Sequence, residues 1–340
     1  MPPKPAWFNN LFGFEEEGSF AANREKFRMD GDDLVCDSAP QFKRQIVGKF
    51  EVPSVGELRS RCAELAASSS TGLKFSHLAA SDGVQPLILD PANEGAVFQA
   101  ASQFNCLEMT GPAVTPARGI AIYFNDPTQG PKCALACPAG TVYRNYLCQD
   151  GAGQGEAQID CLVDVAAAVN NEKHRYWIMK NGYALPGSVK AMAQLGKRIT
   201  EDASLAAVAL GGLRVGVHWA TQAAPPCTHL VAQVYASALP VAYAQNTKPE
   251  DFEPFARVIL RGAYEATLAV GTLHAATRPS GRATVYLTCL GGGAFGNALE
   301  WIVDAMAGAM EAYKEAPLDV ILVHYGSQVP QPWAEALPAR

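Results

Sequence analysis

In Thr284-Val-Tyr-Leu-Thr-Cys-Leu290, Gly291-Gly-Gly-Ala-Phe-Gly296 and Asn297-Ala-Leu-Glu300-Trp-Ile302, apolar β-formers run straight into three glycines and a helix start. A strand, a glycine loop and a helix in succession leave backbone N–H groups free at the helix mouth, the geometry that holds a phosphate or pyrophosphate. Glycines reach backbone conformations closed to other residues and carry no side chain to hold a ligand off. Gly291, Gly292, Gly293, Ala294, Phe295 and Gly296 are therefore the first candidate ligand loop. A tight strand-to-helix turn also wants glycine, so other segments must decide between the two readings.

Working outward, short apolar runs suited to buried strands occur at 86–89, 95–98, 119–123, 213–217, 229–235, 285–288 and 319–323. Helical patterns lie between several of them, at 55–65, 159–169, 187–195, 252–273 and 298–313. Strands alternating with helices predict an α/β fold with a mainly parallel, twisted central sheet covered on both faces. Ligands of such sheets bind beyond the C-terminal strand ends, where the loops after 95–98 and 284–290 emerge. A Ser-rich stretch, Ser68 to Thr71, reads as a loop, and 151–155 and 221–226 as surface loops. Trp7, Phe8, Phe12 and Phe14 are too many aromatics to stay in water. Residues 1–45 are thus read as an extended N-terminal arm packed on the body, 46–330 as one domain and 331–340 as a tail.

The chain has 340 residues, 49% hydrophobic and 18% charged, the balance of a packed globular protein. A net charge of −6 argues against a nucleic-acid surface, and no apolar run approaches the ~20 residues that span a bilayer. Nine cysteines lie scattered without a paired framework or zinc spacing, so free thiols in a reducing, cytoplasmic compartment are expected, with no metal and no cofactor. A monomer is expected. His218 and His229 sit in apolar strands and read as buried structural histidines, and Trp301, Ile302, Met306 and Met310 as helix core.

The second candidate loop is Phe98-Gln-Ala-Ala-Ser-Gln-Phe-Asn105-Cys-Leu-Glu108, a strand opening into amides, a hydroxyl and a carboxylate. Gln99, Ser102 and Asn105 suit sugar hydroxyls, or they cap and close the loop. A third cluster, Asn125-Asp-Pro-Thr-Gln-Gly-Pro131, offers Asp126, Gln129 and Gly130 directly after the run 119–123, or is plain turn punctuation.

Taken together these clusters resemble the macrodomain, the ADP-ribose-binding three-layer α/β/α fold. Ala96-Val-Phe-Gln-Ala-Ala-Ser102 lies over the strand-to-loop motif of that fold, and Gly291-Gly-Gly-Ala-Phe-Gly296 over its phosphate loop. With Leu11-Phe-Gly-Phe14, Thr128-Gln-Gly-Pro131 and Tyr143-Arg-Asn-Tyr146, the pattern is most similar to the divergent macrodomain-effector (MavL-like) family of ADP-ribosyl hydrolases. The resemblance implies an ADP-ribose ligand, modified protein as partner, and removal of ADP-ribose from arginine, ubiquitin included, by carboxylate-assisted cleavage at C1″. The alternative is a reader that binds ADP-ribosyl groups without cleaving them.

Cleavage of that kind wants a carboxylate beside a rigidly held pyrophosphate. Glu300, in the first helical turn after the glycine loop, is the candidate catalytic residue, with Asn297 orienting ribose or water. Asn297 and Glu300 also have the spacing of a helix capping box, a purely structural role. Phe14 and Phe295 are candidates for flanking a ring of the ligand.

Overall fold

The computed structural model describes residues 6–65, 72–171 and 173–339, so the stretch from Ser68 to Thr71 lies outside it. Seven strands form the main sheet: β1 (Phe50–Glu51), β2 (Lys74–Ala80), β3 (Val97–Ala101), β4 (Gly216–Gln222), β5 (Leu230–Ala236), β6 (Ala283–Leu287) and β7 (Leu318–Tyr325), in the order β1-β4-β5-β3-β6-β7-β2. The five strands from β5 to β2 are parallel, and β4 runs antiparallel to both β5 and β1. Val97, Phe98, Val231, Val234, Val285 and Leu287 are all buried, because helices cover both sides of these central strands and leave no polar face.

Two hydrogen bonds identify the layers. On one side Gln99 donates to Thr267 of the helix Glu253–Ala275, which packs against the helix Leu299–Ala312. On the other side Gln233, the register partner of Phe98, donates to the carbonyl of Cys133 in the helix Gln129–Ala136. The expected three-layer α/β/α arrangement with a mainly parallel sheet is therefore present.

Two segments depart from the strand reading. Residues 86–89 belong to a helix, Val84–Leu89, entered through Gly83 at φ +74, with Val84 and Ile88 four apart and buried. A four-residue apolar run carries no period long enough to separate the two cases. Residues 119–123 begin at Gly119, φ +83, and form the 3₁₀ turn Ala121–Asn125. The amides of Ile120 and Ala121, which a strand would pair laterally, instead donate to the Glu16 carboxylate at 3.0 and 2.5 Å. The strand β2 carries Ser76 and His77 among its apolar residues, and the pattern reading passed over it.

A second buried cluster holds the arm. Phe8 and Phe12 each pack edge to face on Phe27, Phe27 stacks on Tyr146, and Glu16 also accepts from the Tyr146 hydroxyl at 2.6 Å. His218, His229, Trp301, Ile302, Met306 and Met310 are buried, as their apolar surroundings suggested.

Candidate active site

The C-terminal ends of β3 and β6 open into a cleft enclosing about 810 Å³, part of it open to solvent. One wall is the glycine loop. Gly291 has φ +76, and a Cβ there would lie 2.5 Å from the Ala238 Cβ, so no other residue fits. Gly296 has φ +72, and a Cβ there would lie 3.0 Å from the Ala242 Cβ. Between them the amides of Gly293, Ala294 and Phe295 have no partner among the described residues, while Gly296 closes the turn on the Gly293 carbonyl. These are the free N–H groups that an anion-binding loop needs.

Asn297 braces this loop from behind. Its side-chain amide donates to the carbonyls of Leu239, at 2.8 Å, and Gly291, at 3.3 Å. The helix cap is Ala298, with no side-chain cap bond, so Asn297 and Glu300 form no capping box. Asn297→Ala removes one donor from each carbonyl, which keep their backbone bonds from Val241 and from the Asn297 amide, and is expected to cost about 0.5–1.5 kcal/mol of stability. A denaturant midpoint that falls at unchanged slope is the check.

The opposite wall is the turn from Ser102 to Thr110 and the first turn of the helix Gln129–Ala136. Cys106 takes the left-handed conformation, φ +60, and Asn105 accepts from the Leu107 amide while Gln103 accepts from that of Met109. This tight, self-bonded turn delivers Glu108 to the cleft. Its side chain is fully buried, with one oxygen 3.5 Å from the Arg144 guanidinium and the other without a partner among the described residues. Burial pushes the carboxyl up to about 7, against the opposing pull of Arg144. Arg144 is itself buried, donates to the Cys106 carbonyl at 2.9 Å and lies over the Tyr235 ring at 3.5 Å. Glu108 was legible as the one carboxylate in an amide-rich loop that follows a strand, yet the pattern singled out its polar neighbours instead.

Gly130 is what lets the helix reach this wall. A Cβ there would collide with the Ala101 carbonyl and sit 3.3 Å from the Glu108 Cγ. Gln129 replaces a missing strand neighbour: it accepts from the Ala101 amide at 2.7 Å and donates to the Gln99 carbonyl at 2.7 Å. The first-turn amides of Gln129 and Gly130 have no helical partner by position and face the same end of the sheet. The third side is aromatic, with Tyr183, Tyr243 and Phe295 within 5.7 Å of one another, centroid to centroid. The Cys289 thiol also lines the cleft, but burial pushes it up to about 12, which keeps it protonated and inert.

The sequence candidates divide accordingly. Ser102, Asp126, Gln129, Gly130, Gly291, Gly293, Ala294 and Phe295 line the cleft. Gly292 and Gly296 shape the loop without lining it. Gln99 is buried beneath it, bonded to Thr267 and to the Thr288 amide, and Asn105 is spent on its own turn and on Gln158. Phe14 belongs to the arm cluster, 5.2 Å from Phe8 and 5.5 Å from Phe27. Glu300 stands 72% exposed with Arg257 at 3.8 Å, outside the residues that line the cleft.

A second cleft adjoins the first and shares Thr128, Gln129, Thr288 and Cys289 with it. Asp82 and Tyr325 line it, and the Tyr325 ring is 82% exposed. The two together form one trough along the strand ends. No group of three or more His, Cys, Asp or Glu that could hold a metal occurs among the described residues.

No family model matches this chain, and no curated protein matches it. Among solved structures it is similar to the poly(ADP-ribose) glycohydrolase of Thermomonospora curvata, at TM-score 0.44 and 14% identity over 93% of this chain and 96% of that one. It is also similar to the poly(ADP-ribose) glycohydrolase of Deinococcus radiodurans in complex with ADP-ribose, at TM-score 0.44 and 12% identity over 85% and 92%. The Thermomonospora curvata enzyme bound to the inhibitor ADP-HPD gives 0.42 and 12% over 93% and 96%. These structures correct the MavL-like placement, because the proteins found are poly(ADP-ribose) glycohydrolases, a distinct macrodomain-like family.

Proposed function

We propose that this chain binds ADP-ribose along the trough and hydrolyses the glycosidic bond at C1″ of its distal ribose. The observation that carries the proposal is Glu108, a buried carboxyl on the cleft floor, opposite a loop of free amides and with one oxygen unclaimed. The amides of Gly293 to Phe295 and the first turn of the helix Gln129–Ala136 receive the pyrophosphate. The rings of Tyr183, Tyr243 and Phe295 wall in the distal ribose and thin its water. Asp82 and Tyr325 suit the adenosine, a carboxylate for the exocyclic amine and an exposed ring for stacking.

The Glu108 carboxyl, held near 7, keeps a proton at neutral pH that an ordinary glutamate would have lost. It gives this proton to the leaving atom as the C1″ bond breaks. Water then adds to the oxocarbenium-like centre and its proton restores the carboxyl. The substrate is an ADP-ribose polymer or a modified protein. Arginine linkage, as on ubiquitin, is the finer proposal and rests on the sequence motifs alone.

The test is to incubate the chain with poly(ADP-ribose), arginine-ADP-ribosylated protein and glutamate-ADP-ribosylated protein, following free ADP-ribose and affinity together. Release from the polymer or from arginine is expected, and it should persist in EDTA. Binding without release from any of the three would make the chain a reader, and loss of activity in EDTA with recovery on adding a divalent cation would sink the metal-free mechanism. Absence of both binding and release would end the ADP-ribose reading.

A further inference from the structure

The trough does not end at the nucleoside cleft. Lys132 lines that cleft and also a neighbouring groove of about 1030 Å³, partly open to solvent, which the proposed chemistry leaves unused. Trp7, Phe42 and Phe124 line the groove, and Phe42 and Phe124 stand 38% and 55% exposed. Gln41 and Gln85 line it too, and their carboxamides make no hydrogen bond among the described residues. Lys132 is the one charged residue of its lining, and its ammonium has no hydrogen-bond or ion-pair partner among the described residues. Exposed aromatic faces, free amides and a single unpaired cation together suit a base followed by a phosphate better than an apolar peptide, which would strand the ammonium against it.

We propose that this groove binds the second ADP-ribosyl unit of a polymer whose first unit fills the trough. The inference rests on the ADP-ribose reading above and adds a subsite to it. The chain between units leaves from the adenosine ribose, which that reading places in the cleft bordered by Lys132. From there the next pyrophosphate passes Lys132, and the next adenine lies on Phe124 or Phe42 with Gln41 and Gln85 at its edge.

The experiment compares the affinities of ADP-ribose and of a ribose-linked ADP-ribose dimer, on chain carrying Glu108→Gln so that the dimer is not consumed. The dimer is expected to bind about fivefold tighter or better, since one stacked base is worth at least that in sites of this kind. Phe124→Ser and, separately, Phe42→Ser should reduce that gain and leave ADP-ribose affinity unchanged, since both rings line this groove and neither lines the trough. Equal affinities for monomer and dimer, a gain that survives both substitutions, or a loss shared by the monomer would overturn the subsite. If an ADP-ribosylated peptide rather than the dimer proves sensitive to Phe124→Ser, the occupant is protein and the proposal fails. Failure of both monomer and dimer to bind would instead end the underlying reading.

Discussion

Glu108→Gln is expected to slow release of ADP-ribose by ~10²–10⁴-fold, the range for losing a positioned general acid. Affinity for ADP-ribose should stay within a small factor. Glutamine keeps the shape of the neutral carboxyl that burial favours at this position, so the Arg144 side keeps a hydrogen-bond acceptor and the fold is retained. The pH dependence follows from the same group. With the carboxyl held near 7 in the folded chain, the acid form, and with it the rate, should fall as pH rises through about 7. Stability moves the same way: the folded state binds the proton more tightly than the unfolded chain, so the stabilisation is full below the ordinary glutamate range and is lost as pH rises through about 7. Glu300→Gln is the control. That side chain is 72% exposed and holds only a surface pair with Arg257, worth ~0–1 kcal/mol, so turnover should be unchanged. A turnover assay in which Glu300→Gln is dead and Glu108→Gln active would reverse the assignment.

Gly293→Asp should weaken ADP-ribose binding by on the order of 100-fold or more, because it sets a carboxylate among the amides that hold the pyrophosphate, and opposed like charges cost several kcal/mol. Its thermal midpoint should stay where it is. A Cβ at Gly293 meets nothing within 4 Å, and the residue does not use the left-handed region. Gly291→Ala is the mirror case, since the added methyl would lie 2.5 Å from the Ala238 Cβ and 2.7 Å from the Asn297 amide nitrogen. There both stability and binding should fall. Calorimetry with and without ligand separates the two, and unaltered affinity in Gly293→Asp would remove the glycine loop from the ligand site.

The glycine loop was legible because its chemistry is written in consecutive residues: β-formers, three glycines and a helix, all local. The central strands were legible for the same reason, as apolar runs flanked by turns. What escaped was set by contacts distant in sequence. Residues 119–123 look like a strand until Glu16 takes their amides, and no local pattern announces that. Glu300 looked catalytic because it follows the glycine loop in sequence. One helical turn carries it past the cleft to Arg257, while Glu108 arrives from a different strand through a left-handed residue at Cys106. Gln99 and Asn105 were read as ligand groups from their residue type, and their partners Thr267 and Gln158 lie 168 and 53 positions away.

Glu16 has a further consequence for how the chain is made. Its three donors lie 104, 105 and 130 positions downstream. At a synthesis rate of roughly 5–20 residues per second, several seconds pass between emergence of the carboxylate and arrival of its last partner. Throughout that interval Phe8, Phe12 and Phe27 have no Tyr146 to close over them. The nascent arm is thus open to chaperone capture over that interval, and slowing translation between these positions would lengthen the exposure without altering the native state.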